Sequence, residues 1–207
     1  MEQIDRPDFD DLAKKMDTPD LLMEATVWVL AEEGYHGLTL RKVAEISGKN
    51  RGLVHYYFDS KADLMASLIE HIREGTRRLI GLEETDSPEE KLWTALRFHT
   101  YGPGGLDEAG RHYYLAILQL QALAAHEPSV REYMSEYQGY IVDTLYEIIQ
   151  EGIERGAFQT DDPYVTATVF STAIVGARTV DLSTNADTCR EFVIAFLDQF
   201  ISSQLKH

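Results

Sequence analysis

The apolar residues of this chain recur mainly at intervals of three and four positions, the spacing that places side chains on one face of an α-helix. We find no run of strictly alternating apolar and polar residues, and no Asn-Gly or Asp-Gly pair of the kind that favours tight hairpins. The pattern therefore predicts an all-α fold of nine helices. The predicted ranges are 18–34, 40–47, 50–56, 60–80, 88–101, 107–125, 128–155, 162–180 and 187–204.

Residues that start and stop helices fix the first of these boundaries. Thr18 and Pro19 are predicted as the N-cap and the first residue of the first helix, and Gly34 as its end. Gly48 ends the second helix. Ser60 and Asp63 form a capping box in which the carboxylate can accept a hydrogen bond from the backbone N–H of residue 60. Residues 1–17 carry six acidic and three basic side chains with few apolar ones, and are predicted to be a flexible arm.

The overall charge is strongly negative. The 207 residues include 35 Asp and Glu against 19 Lys and Arg, for a net charge of −16. This balance argues against bulk non-specific binding to nucleic acid, and is typical of a soluble, self-repelling surface. A cytoplasm of very high salt is a second explanation of the same acidity.

Residues 39–61 reverse the sign of the charge. The segment holds five basic and two acidic residues, so it carries +3 while the remainder of the chain carries −19. The segment is also where two short helices meet at a glycine turn, which is the pattern of a helix-turn-helix. Local positive charge on this unit predicts that it contacts phosphate.

The geometry of a helix-turn-helix puts the start of the second helix into the major groove of DNA. Arg51 can hydrogen-bond guanine through two N–H groups, Asn50 can reach a base edge or a phosphate, and Leu53 can contact a thymine methyl. Gly52 leaves room for a close approach, and Tyr57 can pack its ring inward while its hydroxyl reaches a phosphate. The predicted DNA-contacting residues are Thr39, Arg41, Lys49, Asn50, Arg51, Gly52, Leu53, His55, Tyr56, Tyr57 and Lys61.

The alternative is that Tyr56, Tyr57 and Phe58 are core aromatics and that the basic residues form an ordinary solvated face. Core burial is the better interpretation for Phe58, and the two interpretations are balanced for Tyr56. The coincidence of charge, turn and helix caps favours DNA binding for the set as a whole.

The stretch TLRKVAEISGKNRGLVHYYFDSKADL (39–64) resembles the DNA-binding domain of tetracycline-repressor-like (TetR-family) regulators, which follow the pattern T-x-R-x-I-A-x-x-x-G-x-S-x-G-x-x-Y-x-Y-F-x-S-K-x-x-L. Asn50 stands where that pattern has Ser and His55 where it has Tyr, so base preference does not transfer. GIERGAF (152–158) and the Asp-Pro that opens the next helix are similar to the late region of the family.

The resemblance implies a domain order: a helix-turn-helix DNA-binding domain over 18–60, a linker helix over 61–80, and a ligand-binding and dimerisation domain over 81–207. It also implies a homodimer that reads a palindromic operator in double-stranded DNA. The last two predicted helices are apolar around much of their circumference, as a dimer interface requires. Burial in the chain's own core would also explain this pattern. The residues predicted for the dimer interface are Val169, Ala173, Ala177, Phe192, Phe196 and Phe200.

The resemblance further implies a pocket for a small apolar or aromatic inducer. The candidate lining residues are aromatic or amphipathic. Each taken alone is better explained by packing, but as a set they indicate an apolar pocket with a few polar groups. They are Trp93, His99, Tyr113, Tyr114, Ile117, Gln121, Tyr137, Phe170, Ile174 and Arg178. The predicted function is therefore a DNA-binding repressor released by an inducer. A regulator of the same fold that is constitutive or gated by a protein is the alternative.

Other classes of function have less support. The sequence has no Gly-rich phosphate loop, no G-x-S-x-G and no H-E-x-x-H, so an enzyme is not expected. His99, His112 and His126 lie on separate predicted helices, and Cys189 is the one cysteine, so neither a metal site nor a cofactor is expected. The longest mostly apolar run, 169–177, is too short to span a membrane, and the N-terminus has no apolar core typical of a signal peptide. A cytoplasmic location is expected.

Overall fold

The computed structural model describes residues 7–82, 87–101 and 108–183, with isolated positions at 195, 198, 199, 201, 202 and 205. These residues form nine α-helices and no strand, in agreement with the predicted fold class. The helices are α1 (Phe9–Lys15), α2 (Thr18–Gly37), α3 (Leu40–Ser47), α4 (Arg51–Tyr57), α5 (Lys61–Leu82), α6 (Pro88–Tyr101), α7 (Glu108–Ala124), α8 (Pro128–Glu154) and α9 (Pro163–Ser183). The predicted helix over 187–204 falls largely outside the described residues.

The N-terminal arm departs from its prediction. Residues 9–15 form α1, where no helix was predicted, while the flexibility of the arm stays a prediction. Asp8 caps the helix by accepting hydrogen bonds from the backbone N–H groups of residues 10 and 11, and Phe9 is buried. A seven-residue helix is marginal by itself, so its packing on α2 and α3 is what stabilises it.

Two compact units divide the chain. The first contains residues 1–74 and 106–134, and the second contains 75–105 and 135–207. The boundary falls within α5 and α8, and α7 clusters with the N-terminal helices.

The first unit is built on α2, which packs against α1, α3 and α7. Its leucines and valines at helical spacing are fully buried, among them Leu22, Val29 and Leu30. The N-cap is Asp17, whose Oδ1 accepts from the backbone N–H of Asp20 at 2.9 Å, one residue earlier than the predicted Thr18. At the other end Gly34 leaves the helical conformation, with φ 71° and ψ 179°, and a short turn continues to Gly37.

The second unit contains α6, α9 and most of α8. Leu92 and Leu96 of α6 and Phe170 and Ile174 of α9 are fully buried, and the two helices pack on each other. Gly156 follows α8 with φ 72°, in agreement with the predicted C-terminal stop. No helix in the described residues is long and apolar enough to cross a membrane.

Candidate nucleic-acid interface

The local sequence fixes the helix-turn-helix within 39–61. Thr39 caps α3 by accepting a hydrogen bond from the backbone N–H of Lys42 at 3.1 Å. Gly48 takes the left-handed conformation, φ 68° and ψ 12°, that ends α3 and that glycine adopts without a steric penalty. Asn50 caps α4, its Oδ1 accepting from the backbone N–H of Leu53 at 2.8 Å. These caps confirm the predicted bounds of both helices to within one residue.

The inner side of the helix-turn-helix is apolar, and its outer side is exposed to solvent. The buried residues include Val43, Ala44, Ile46, Val54 and Phe58. Phe58 is 5% exposed, as predicted, whereas Tyr56 is 80% exposed, so core burial is the wrong interpretation for Tyr56. The two tyrosines Tyr56 and Tyr57 contact each other edge to face, with ring centroids 5.2 Å apart. Of the predicted DNA-contacting residues, Thr39, Arg41, Asn50, Arg51, Gly52, His55, Tyr56 and Tyr57 are exposed, and Lys49, Leu53 and Lys61 are half-buried.

Two of the five basic residues in the segment are used within the protein. The ammonium of Lys42 lies 2.7 Å from Glu33 of α2, and this hydrogen bond raises the pKa of Lys42. The ammonium of Lys61 donates to the backbone carbonyl of Tyr35 and lies 3.6 Å from the centre of the Tyr35 ring. Burial lowers the pKa of Lys61, with Glu127 opposing the shift. A phosphate would therefore have to compete for the Lys61 ammonium, and its contact with DNA stays a prediction.

The other three basic residues have no such partner in the part of the chain that the structure describes. Among the described residues, none forms an ion pair with Arg41, Lys49 or Arg51. An unpaired cation beside exposed aromatic and amide groups is suited to phosphate oxygens and to the edges of bases. These three cations of α3, the turn and α4 can thus contact nucleic acid without first breaking an ion pair to any described residue.

Asn50 has a narrower role than the sequence indicated. Because Oδ1 caps α4, one of its two lone pairs is occupied, and the amide N–H groups and the second lone pair are left for hydrogen bonds to DNA. The capping box at the start of α5 is also shifted by one residue. Ser60 Oγ accepts from the backbone N–H of Asp63 at 3.1 Å, but the Asp63 carboxylate accepts from Asp59 N–H at 2.9 Å rather than from residue 60.

Comparison with known proteins identifies the family. A family model described as bacterial regulatory proteins of the tetR family matches residues 22–68, and one described as a tetracyclin repressor-like C-terminal domain matches residues 119–188. The chain belongs to the TetR family of transcriptional regulators. Membership makes it a DNA-binding regulator rather than an enzyme, and the family's DNA-binding model covers the α3–α4 face described above.

Individual relatives are distant in sequence and close in fold. The HTH-type transcriptional repressor AcnR of Corynebacterium efficiens is 25% identical over 176 residues, covering 84% of this chain and 87% of the relative. The solved structure of a TetR regulator from Haloarcula marismortui is 26% identical with a TM-score of 0.72, covering 91% of this chain and 98% of that chain. A regulator from Saccharomonospora viridis, solved in complex with choline, shares the fold at 21% identity and a TM-score of 0.70, covering 91% and 97%.

The residues predicted for an inducer pocket divide between the two units of this TetR-family chain. In the first unit Tyr113, Tyr114 and Ile117 of α7 are buried, and Gln121 is half-buried. In the second unit His99, Tyr137, Phe170 and Ile174 are fully buried, and Trp93 is half-buried under the Arg97 guanidinium at 5.7 Å. The side chain of Arg178 lies outside the described residues.

Within the second unit, an aromatic cluster surrounds His99. Its ring meets those of Phe98, Tyr137 and Tyr140 edge to face at 5.3, 6.5 and 6.0 Å. Of the predicted pocket residues in this unit, His99 and Tyr137 are therefore in contact. The structure describes no group of three or more metal-binding side chains that could hold an ion.

The predicted dimer residues are only partly described. Val169 of α9 is 40% exposed and Ala173 is half-buried. The side chain of Ala177 lies outside the described residues, as do Phe192, Phe196 and Phe200 entirely.

Proposed function

We propose that this TetR-family protein is a homodimeric repressor that binds a palindromic operator through the α3–α4 face and is released by a small-molecule inducer. The observation that carries the proposal is the outward face of residues 39–61, where three cations have no ion-pair partner among the described residues, on a chain of net charge −16.

Operator contact is divided among the exposed side chains according to their chemistry. Arg51 at the first turn of α4 is the candidate for a guanine edge, because its planar guanidinium can donate two parallel hydrogen bonds. Arg41 and Lys49 flank it and are assigned to phosphates, as is the Thr39 hydroxyl, which keeps a free O–H while its oxygen caps α3. Tyr56, at 80% exposure, supplies an apolar ring with a polar end.

Dimerisation is supported by the exposed side of α9. Tyr164, Val165 and Val169 are 56, 54 and 40% exposed. This helix therefore presents several large apolar side chains to solvent, as surfaces that bind another protein do. The hydroxyls of Thr168 and Thr172 donate to the carbonyls four residues earlier, at 2.9 Å each, so these side chains can present their methyl groups outward. A second copy of α9 would cover this side, and two copies of α4 would then face successive major grooves.

An inducer of apolar or aromatic character is supported by the buried aromatic groups of α6 and α8 around His99 and Tyr137. The choline bound by the Saccharomonospora viridis regulator is an example of a small molecule held by this fold. Inducer binding would act by stabilising a conformation that fits the operator poorly.

The test is the affinity of the purified protein for its own upstream DNA, measured by fluorescence anisotropy over a range of salt. Arg51→Ala should weaken binding about 10- to 100-fold and reduce the preference over unrelated DNA. Lys49→Ala should weaken binding to all sequences alike and lower the salt slope by about one. Arg77→Ala, which removes an exposed cation of α5 outside residues 39–61, is the matched control and should leave affinity within about twofold.

Two results would contradict the proposal. Wild-type protein that shows no preference for its upstream DNA at any salt would overturn operator binding. Sedimentation that shows a stable monomer at micromolar concentration would overturn the dimer.

A further inference from the structure

We propose that Gln119 of α7 is a positioning residue for operator binding, because its side-chain amide holds the kink of α2 from which both ends of the DNA-facing segment are anchored. The inference rests on the proposed function in one respect, that residues 39–61 contact the operator. It assigns a role in DNA binding to a residue outside that segment.

The kink creates a need for a hydrogen-bond donor. A ψ of 179° at Gly34 turns the following peptide group out of the helical orientation, so the helical part of α2 ends there. Carbonyl groups in the last turn of a helix have no partner within the helix. The carbonyl of Ala31 lies in that turn, and it accepts a hydrogen bond from Gln119 Nε2 at 2.6 Å.

The other end of the same amide lies against the kink itself. A Cβ placed on Gly34 would be only 2.8 Å from Gln119 Oε1. The amide therefore lies against α2 just before the break and at the break itself, with Nε2 at the carbonyl of Ala31 and Oε1 beside Gly34. A second side chain of α7 reaches the same turn, since His112 Nε2 lies 3.9 Å from Glu32 Oε1.

The residues just after the kink anchor both ends of the DNA-facing segment. Leu38 is fully buried, and its backbone N–H lies 3.2 Å from the carbonyls of both Gly34 and Tyr35. The next residue is Thr39, the N-cap of α3. At the far end, Lys61 opens α5, the helix that follows α4. Its ammonium donates to the carbonyl of Tyr35 and lies over the ring of Tyr35.

One short segment, 35–38, thus sets the start of α3 and the start of α5. The helices between them have only eight and seven residues, so their placement depends on such tertiary anchors more than on their own stability. Loss of the Gln119 amide would make the kink more mobile. Because Tyr35 follows the kink, its carbonyl and ring would then hold Lys61 less firmly. The expected result is weaker operator binding from a residue that does not contact DNA.

The variant Gln119→Met keeps the length of the side chain and removes both its donor and its acceptor. We expect it to weaken binding to the upstream DNA about three- to tenfold, the range that corresponds to one hydrogen bond. Gln150→Met is the matched control, because among the described residues the Gln150 amide donates only to Tyr146 of its own helix. It should leave the affinity unchanged. Equal losses in the two variants would overturn the inference.

A double-mutant cycle separates positioning from general destabilisation. If Gln119 acts through Tyr35 and Lys61, then Gln119→Met should weaken binding less than about twofold in a Lys61→Met background. Effects that multiply independently, with the same factor in both backgrounds, would overturn the proposed route.

Hydrogen–deuterium exchange tests the kink without DNA. The amide of Leu38 should exchange faster in Gln119→Met than in the wild type or in Gln150→Met. If the wild type shows no operator preference, the proposed function fails and this inference fails with it. If the wild type binds and Gln119→Met binds equally well with unchanged Leu38 exchange, only the role of Gln119 is overturned.

Discussion

Replacing Gly34 by Ala should destabilise the protein more than any substitution confined to a helix surface. With φ 71° and ψ 179°, Gly34 lies in a region of backbone conformation that is essentially restricted to glycine, and a side chain there costs about 2 kcal/mol. The added Cβ would also lie 2.8 Å from Gln119 Oε1. Because that oxygen ends a flexible side chain, the amide can move aside, but its hydrogen bond to Ala31 is then lost at a further cost of about 1 kcal/mol.

The sum of about 3 kcal/mol corresponds to a fall in melting temperature of about 6–12 °C for a chain of this length. Gly48→Ala is the matched control, since Gly48 has a φ of 68° but an added Cβ meets nothing within 4 Å. Its left-handed conformation costs an alanine about 1 kcal/mol, or about 2–4 °C. Thermal unfolding followed by circular dichroism measures both variants.

The double variant Gly34→Ala with Gln119→Ala tests the steric part of the argument. In Gly34→Ala the hydrogen bond from Gln119 is already broken, so removing the amide as well should lower the melting temperature by less than about 1 °C more. Two results would refute the reasoning. One is a Gly34→Ala effect no larger than that of Gly48→Ala, and the other is an additive double variant.

Three further outcomes follow from local geometry. Gly152→Ala places a Cβ 2.8 Å from Cγ of the buried Phe158 and closer still to the edge of its ring. It should therefore lower the free energy of unfolding by about 1–3 kcal/mol, measured by thermal melting, and an unchanged melt would contradict this packing. The hydrogen bond from Lys91 lowers the pKa of Glu151 below its ordinary 4.5, so its stabilisation is present above that pH and lost as the pH falls. Lys91→Met should therefore lower the melting temperature by about 1–2 °C near neutral pH and by progressively less as the pH falls below 4.5, and a loss that does not shrink with falling pH would contradict it. Asn50→Asp keeps the acceptor that caps α4, so it should melt within about 1 °C of the wild type. It should nevertheless bind DNA at least about tenfold more weakly, because it adds a carboxylate to the DNA-facing surface. Undiminished binding in fluorescence anisotropy would exclude Asn50 from that surface.

The helix-turn-helix could be predicted from the sequence because its signals are local. Thr39, Gly48 and Asn50 each act within four residues of their own position, and the structure places α3 and α4 within one residue of the predicted bounds. The same kind of local signal is present at α1. Acidic residues fill its first turn and Lys14 and Lys15 its last, which complements the helix dipole.

What could not be predicted depends on contacts between residues far apart in the chain. Lys61 and Tyr35 are 26 residues apart, and Gln119 and Ala31 are 88 apart. Nothing in the local sequence around Lys61 distinguishes an ammonium that contacts phosphate from one that stacks on a tyrosine. The same holds for Lys42, whose charge contributed to the prediction of a basic face but is taken up by Glu33.

The acidity of the chain and its affinity for DNA are compatible because the charges are segregated. Residues 39–61 carry +3 and the rest of the chain −19, so approach to DNA in most orientations is repulsive. At an ionic strength of 0.1 M the repulsion is screened beyond about 10 Å, which leaves the contacts of Arg41, Lys49 and Arg51 at short range. A protein of this kind gains little from non-specific attraction to phosphate, so its discrimination between operator and other DNA depends on base contacts. The exact placement of α4, and with it the kink of α2, therefore matters more for this chain than for a basic regulator with the same fold.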